Sequence, residues 1–189
     1  MELISPLNPR PRASNARLGM FMTLLILLAV GMAFARTEGF EWFVLKNAIR
    51  AKYPNVRRIT TAQLADWLAD PQREKPVLLD VRTEPEWNVS HLAGARRIDP
   101  GAPADLVGVP RNAPIVTYCS VGYRSSEMAR RLLAAGFINV QNLEGSVFEW
   151  GNEHRPLVAG GQKVARVHPD NGWWGRLLAD DVRAPVESR

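Results

Sequence analysis

The sequence contains a single cysteine, Cys119, in 189 residues. One cysteine excludes a disulfide within the chain and a metal site built from several thiolates. The three histidines, His91, His154 and His168, have no paired ligand residues close to them in the sequence. The residues therefore predict neither a metal site nor a bound cofactor.

The main part of the chain also lacks an excess of positive charge. Residues 59–189 hold fifteen Lys and Arg against sixteen Asp and Glu, whereas residues 1–58 hold nine against three. A nearly neutral domain without a basic stripe argues against nucleic-acid binding. Basic residues beside an apolar segment instead suit an anionic membrane surface, so a membrane is predicted as a partner.

Charged side chains are absent from residues 18–35, where Thr23 is the only polar side chain. A flexible basic leader, residues 1–17, precedes this stretch. Eighteen uncharged residues are long enough to cross a bilayer, which predicts a transmembrane helix and a single-pass membrane protein. The alternative is a signal sequence cleaved near Ala35, which predicts a secreted or periplasmic protein. Basic residues flank both sides almost equally, so the orientation stays open.

Two further segments flank the predicted domain. Residues 36–55 predict an amphipathic juxtamembrane helix whose aromatic and basic side chains suit either a membrane interface or packing on the domain. Residues 158–189 predict a C-terminal tail that docks on the domain through an apolar cluster around Trp173 and Trp174.

Short apolar strands alternate with helices in residues 56–157. Residues 76–82 predict a strand that is buried on both faces of a parallel sheet. Thr60 and Thr61 are placed to cap a helix between them and this strand, and residues 137–140 predict a later strand. This alternation is typical of an α/β domain with a central parallel sheet flanked by helices.

Cys119 lies between an apolar, β-branched strand and a helix-like segment. The backbone N–H groups of residues 120–125 can form an anion-binding nest, with Gly122 permitting the tight curvature. Arg124 adds a permanent positive charge. The following helix, with Ser125 as its predicted cap, contributes the positive end of its dipole. These surroundings favour a thiolate over a thiol and predict a reactive sulfur.

Four motifs, in order, resemble those of the single-domain rhodanese-like sulfurtransferases over residues 59–157. They are Asp80-Val81-Arg82; Glu86-Trp87 with Ser90-His91-Leu92-Ala93-Gly94-Ala95; Cys119-Ser120-Val121-Gly122-Tyr123-Arg124-Ser125; and Leu143-Glu144-Gly145 with Trp150. The resemblance implies a rhodanese-like fold. It also implies transfer of a sulfane sulfur from a donor such as thiosulfate to cyanide or a thiol. Ala93 and Glu144 depart from the family's usual proline and glycine.

Carried over by position, Cys119 is the catalytic residue that bears a persulfide. The residues predicted to bind the donor are Arg124, Ser120, Val121, Gly122, Tyr123 and Ser125. Asp80 and Arg82 are predicted to form a structural ion pair near the site. Because the chain holds no second thiol, the sulfur acceptor is predicted to be external, either a small-molecule thiol or a protein.

Two other functions compete with this one. Cysteine phosphatases of similar plan hold Cys and Arg with five residues between them, whereas four separate Cys119 from Arg124. The smaller loop suits a sulfur atom better than a phosphate. The second alternative is a non-catalytic, membrane-tethered binding or scaffold module on the same fold, in which Trp173 and Trp174 recruit a partner.

Overall fold

The computed structural model describes residues 19–24 and 38–185. Residues 19–24 are helical. The predicted leader, residues 1–17, and most of the predicted membrane segment, residues 18–35, lie outside the described residues. Within the part of the chain that is described, no helix is both long enough and apolar enough to cross a bilayer.

From residue 38 onward, helices and strands alternate along the chain. The helices are α1 (Glu38–Lys52), α2 (Thr61–Ala69), α3 (Glu84–Val89), α4 (Tyr123–Ala134) and α5 (Ser146–Asn152). The strands are β1 (Arg57–Ile59), β2 (Val77–Asp80), β3 (Arg96–Arg97), β4 (Ile115–Tyr118), β5 (Val140–Leu143), β6 (Leu157–Ala159) and β7 (Gln162–Val164). Two short 3₁₀ turns, Ala104–Val107 and Trp174–Leu177, complete the described elements.

The central sheet has five parallel strands in the order β1-β5-β4-β2-β3. The predicted α/β fold with a central parallel sheet is therefore confirmed. Strand β4 lies in the middle, where Val116 is in register with Leu78 of β2 and Gln141 of β5. Because Cys119 directly follows β4, it lies at the centre of the carboxyl edge, where open α/β sheets bind their ligands.

The two faces of this sheet bury separate hydrophobic clusters. Successive strand residues point to opposite faces, so Leu78 and Val116 belong to one cluster, and Leu79 and Ile115 to the other. Helices α2 and α5 contribute to the first cluster, and α4 contributes to the second. The strand sequences are apolar throughout because both faces of the sheet are covered.

From Trp42 onward, helix α1 packs against the domain. Ile49 is buried in the second cluster. Lys46 forms an ion pair with Glu149 at 2.5 Å, and Arg50 donates two hydrogen bonds of 2.8 Å to Glu144. The sequence left open whether this helix lies at a membrane interface or packs on the domain. Packing on the domain accounts for these contacts.

The strand predicted at residues 137–140 is wrong, because β5 begins only at Val140 and runs to Leu143. The segment before it is used to end α4. Gly136 adopts a φ of +89°, its N–H donates to the Leu133 carbonyl, and the Phe137 N–H donates to the Leu132 carbonyl. This Schellman motif turns the chain, so β-pairing starts three residues later than the apolar pattern indicates.

The chain beyond residue 157 contributes to the same core. Strands β6 and β7 form an antiparallel hairpin. Val167, Leu177, Leu178 and Val182 are buried in the first cluster. The Val167 N–H donates to the Val182 carbonyl at 2.8 Å, which ties the two ends of this C-terminal segment together.

Candidate active site

The Cys119 sulfur receives hydrogen bonds from its own loop and from the first turn of the helix that follows. The Gly122 N–H donates to Sγ at 3.1 Å, and the Ser125 hydroxyl lies 3.4 Å from it. Gly122 adopts a φ of +105°, in the region that glycine tolerates best, and this conformation folds the loop back on the sulfur. The sulfur therefore lies among donors that can stabilise a negative charge.

The predicted capping role of Ser125 is wrong. Helix α4 begins at Tyr123, and Gly122 occupies the N-cap position without a side-chain bond. Because the loop between β4 and α4 is only four residues long, Ser125 falls inside the first turn of the helix, where it is buried. Its hydroxyl is thereby directed toward the sulfur instead of the helix end.

Helix α5 supports the loop from behind. The Val147 and Phe148 N–H groups donate to the carbonyls of Cys119 and Ser120, each at 3.1 Å. The Ser146 hydroxyl accepts from the Cys119 N–H at 3.1 Å and donates to the Leu143 carbonyl at 3.0 Å. The first N–H groups of a helix have no partner within the helix, and here they fix the thiol loop.

Arg124 is held by acidic and hydroxyl groups. Its guanidinium donates to both carboxylate oxygens of Glu86, at 2.7 and 2.9 Å. It also donates to the Ser120 hydroxyl at 2.8 Å and to Asp170 at 3.3 Å. Sequence reasoning assigned neither Glu86 nor Asp170 to the site. Thr83 and Glu86 do show a capping-box spacing, but that signal predicts a helix start and not a partner for Arg124.

The same contacts set the protonation of Glu86. Burial alone would raise the pKa of this carboxyl, but the hydrogen bonds and charge of Arg124 and the hydrogen bonds from Thr83 lower the pKa to about 2. Burial alone would likewise lower the pKa of Arg124, but its bond to Glu86 and the nearby negative groups raise it. Burial raises the pKa of Asp170. Glu86 is therefore a carboxylate at neutral pH, and Arg124 a cation.

A cavity of about 160 Å³ opens above the sulfur. The residues that line it are Cys119, Ser120, Val121, Tyr123, Arg124, Asp170 and Trp174. Five of the seven were predicted as site residues. Gly122 and Ser125 do not line the cavity, but both contact the sulfur.

Asp80 and Arg82 form an ion pair that does not line this cavity. Arg82 Nη2 lies 2.6 Å from Asp80 Oδ2, and neither side chain is exposed. Arg82 also donates to the Ser90 carbonyl at 2.5 Å, and the Val81 N–H donates to the Tyr118 carbonyl at 2.9 Å. The pair therefore links the end of β2 to the end of α3, beside the strand that leads to Cys119.

Together, the fold and the site define an α/β domain with one thiol at the carboxyl edge of its central strand, in a four-residue loop before a helix. The profile of the rhodanese-like domain family matches residues 64–153. A sulfurtransferase from Allochromatium vinosum is 30% identical over 105 residues, which cover 55% of this chain and 96% of that protein. The chain therefore belongs to the rhodanese-like sulfurtransferase family.

Other similar proteins are longer. The probable adenylyltransferase/sulfurtransferase MoeZ of Mycobacterium tuberculosis is 35% identical over 101 residues, which cover 52% of this chain but 25% of that protein. Among solved structures, a thiosulfate sulfurtransferase from Pseudomonas aeruginosa gives a TM-score of 0.52 at 20% identity, over 62% of this chain and 22% of that one. At this identity the likeness is one of fold alone.

Proposed function

We propose that this protein transfers a sulfane sulfur from a thiosulfate-like donor to an external thiol or cyanide, through a persulfide on Cys119. The observation that carries the proposal is the placement of Sγ at the base of a 160 Å³ cavity, with the Gly122 N–H and the Ser125 hydroxyl directed at it. No cofactor is part of this reaction.

In the first step, the Cys119 thiolate attacks the outer sulfur of the donor. A sulfur–sulfur bond forms to Sγ, and the bond between the outer sulfur and the rest of the donor breaks. The electron pair of that bond leaves with sulfite, when thiosulfate is the donor. This step needs no proton, because the persulfide that forms is itself an anion.

In the second step, an external thiolate or cyanide attacks the terminal sulfur of the persulfide. The new product, an organic persulfide or thiocyanate, departs, and the Cys119 thiolate is restored. The acceptor must come from outside because the chain contains no other thiol. The Gly122 N–H and the Ser125 hydroxyl serve both steps, since the thiolate and the persulfide are both anions.

The turnover assay uses the full chain with a thiosulfate-type donor and cyanide, and follows thiocyanate. We expect the wild type to turn over and Cys119→Ser to lose activity by at least about a thousandfold, because a hydroxyl at this position is far less acidic and less nucleophilic than a thiol. A Cys119→Ser variant that retains the wild-type rate would contradict the proposal. Two results together would favour the scaffold alternative. The purified wild type would show no turnover, and Cys119→Ser would still support the biological role in cells.

We further propose that residues 18–35 tether this activity to a membrane, with the secreted or periplasmic form after cleavage near Ala35 as the alternative. The support is the uncharged composition of that segment. The N-terminal mass of the mature protein separates the two forms. An intact leader is expected for an anchor, and a chain that begins at Arg36 would overturn it.

A further inference from the structure

The candidate active site includes two residues that lie beyond the family match. The rhodanese-like profile ends at residue 153, whereas Asp170 and Trp174 line the cavity above Cys119. The C-terminal segment thus supplies one wall of the cavity, and that wall carries a carboxylate and an indole.

Contacts within the segment hold this wall in place. The Asp170 N–H donates to His168 Nδ1 at 3.0 Å, and Asp170 itself adopts a left-handed φ of +63°. The Gly175 N–H donates to the Asn171 carbonyl at 2.9 Å. Leu177, in the same 3₁₀ turn as Trp174, is buried in the core. The wall is therefore part of the packed domain.

Asp170 changes the charge that an incoming donor meets. Among the described residues that line the cavity, Arg124 is the sole positively charged side chain, and it already pairs with Glu86. The charge of Arg124, 3.3 Å away, opposes the effect of burial on the pKa of Asp170. The ionised Asp170 carboxylate adds a second negative group to a single guanidinium. Lys52 donates to the hydroxyl of Tyr123, but it does not itself line the cavity. A doubly charged donor is therefore repelled more strongly than a singly charged one.

Trp174 offers the complementary feature. Its indole faces the same cavity as Val121 and packs partly against the core. An aromatic ring beside an aliphatic side chain favours a planar apolar group on the ligand, which a thiosulfate ion does not have.

We propose that Asp170 and Trp174 select the sulfur donor: Asp170 disfavours dianionic thiosulfate, and Trp174 favours a singly charged sulfane donor that carries a planar apolar group. This inference rests on the proposed function and names its donor class. An arenethiosulfonate is the simplest such donor. The Cys119 thiolate takes its outer sulfur, the bond between that sulfur and the sulfonyl group breaks, and the electron pair leaves on an arenesulfinate.

The test measures kcat/KM of the full chain for two donors, thiosulfate and benzenethiosulfonate, with cyanide as acceptor in both assays. We expect Asp170→Asn to raise kcat/KM about tenfold for thiosulfate and about threefold for benzenethiosulfonate, because Coulomb energy scales with the charge of the ligand. The increase for thiosulfate should be about the square of the increase for benzenethiosulfonate, because thiosulfate carries twice the charge. Asp180→Asn, which removes an exposed carboxylate of the same C-terminal segment, serves as the matched control and should change neither value.

The indole is tested by Trp174→Ala against Trp173→Ala, since Trp173 is exposed and does not line the cavity. Trp174→Ala should lower kcat/KM about tenfold for benzenethiosulfonate and less than about threefold for thiosulfate. Trp173→Ala should leave both unchanged. The ratio of kcat/KM for the two donors, measured on one protein sample, does not depend on the fraction of the protein that is folded.

If the ratio of kcat/KM for the two donors stays within about twofold of the wild-type ratio in Asp170→Asn or in Trp174→Ala, that residue does not select the donor. The same result in both variants overturns the proposal. A change in Asp180→Asn equal to that in Asp170→Asn also overturns it, because the effect would then reflect net charge alone. A wild type that turns over neither donor contradicts the proposed function as well. Turnover of both donors with unchanged ratios contradicts donor selection only.

Discussion

The Asp80–Arg82 and Glu86–Arg124 pairs have the same chemistry in different surroundings. Arg82 and Asp80 are separated by one residue and are both fully buried. Arg124 and Glu86 are 38 positions apart, and the arginine side chain is 26% exposed where it faces the cavity. The first pair is sealed inside the fold, and the second forms part of the candidate site.

Their other partners explain the difference. Outside the pair, Arg82 donates to the main-chain carbonyl of Ser90, so its contacts join two elements of secondary structure. Arg124 donates to two further side chains, Ser120 and Asp170, both of which line the cavity. A buried pair of the first kind supports the fold, whereas a pair of the second kind can respond to a bound anion. Variants of the two pairs should therefore differ in whether they change stability or activity.

The largest expected effect is on stability, from Arg82→Met. The variant leaves the Asp80 carboxylate buried without its partner, so the free energy of unfolding should fall by about 3–5 kcal/mol. Urea denaturation measures this fall. The kcat/KM per folded molecule should stay within about threefold of the wild type. A loss of kcat/KM of about tenfold per folded molecule, the loss expected for Arg124→Lys, would end the distinction between the two pairs.

Acid should weaken the second pair through Glu86. The pKa of Glu86 in the folded protein is about 2, below its ordinary value, so its contribution to stability is present above the unfolded pKa. That contribution is lost as the pH falls from about 4.5 to about 2 and amounts to about 3 kcal/mol. We expect the difference in unfolding free energy between wild type and Glu86→Gln to shrink by this amount across that range. A difference that does not vary with pH would contradict the ion pair.

The two arginines should also respond differently to lysine. Arg124→Lys keeps the charge but loses the two-point contact with Glu86, so the free energy of unfolding should fall by about 1–2 kcal/mol. Its kcat/KM should fall about tenfold. Arg82→Lys is the matched control, and it should lower stability without a comparable loss of kcat/KM per folded molecule. Equal losses of kcat/KM per folded molecule in both variants would contradict the distinction between the two pairs.

The smallest effect concerns two buried serines. The Ser120 hydroxyl donates to Glu86 at 2.8 Å and accepts from Arg124, whereas the Ser90 hydroxyl has no hydrogen-bond partner among the described residues. Ser120→Ala should lower the free energy of unfolding by about 1 kcal/mol. Ser90→Ala should not lower it, because a buried hydroxyl without a partner costs desolvation free energy and gains no hydrogen bond. If Ser90→Ala costs as much as Ser120→Ala, the hydroxyl bridge does not account for the difference.

The parts of this fold that depend on local pattern could be predicted from the sequence. Apolar strands that alternate with helices indicated the parallel sheet, and the strand before Cys119 placed the thiol at its carboxyl edge. A cap from Thr60 and Thr61 was also predicted, and Thr60 is the residue that caps, since its hydroxyl accepts from the Gln63 N–H. Periodicity and capping act over a few residues, so one sequence is enough to reveal them.

The parts that depend on distant contacts could not be predicted. Arg124 meets Glu86 across 38 positions and Asp170 across 46, and no local pattern relates them. The prediction that Ser125 caps the helix was wrong for a related reason. The length of the loop decides whether that serine precedes the helix or lies within it. Site residues on the chain's central loop were therefore found, whereas the residues that complete the cavity were not.

The central claim, a persulfide on Cys119, is tested most directly by the mass of the peptide that contains residue 119. The full chain is treated with a thiosulfate-type donor, digested and analysed before and after addition of cyanide. We expect the wild-type peptide to gain the mass of one sulfur atom and to lose it again to cyanide as thiocyanate, while Cys119→Ser gains nothing. A wild-type peptide that gains no sulfur from thiosulfate or from benzenethiosulfonate would contradict the account.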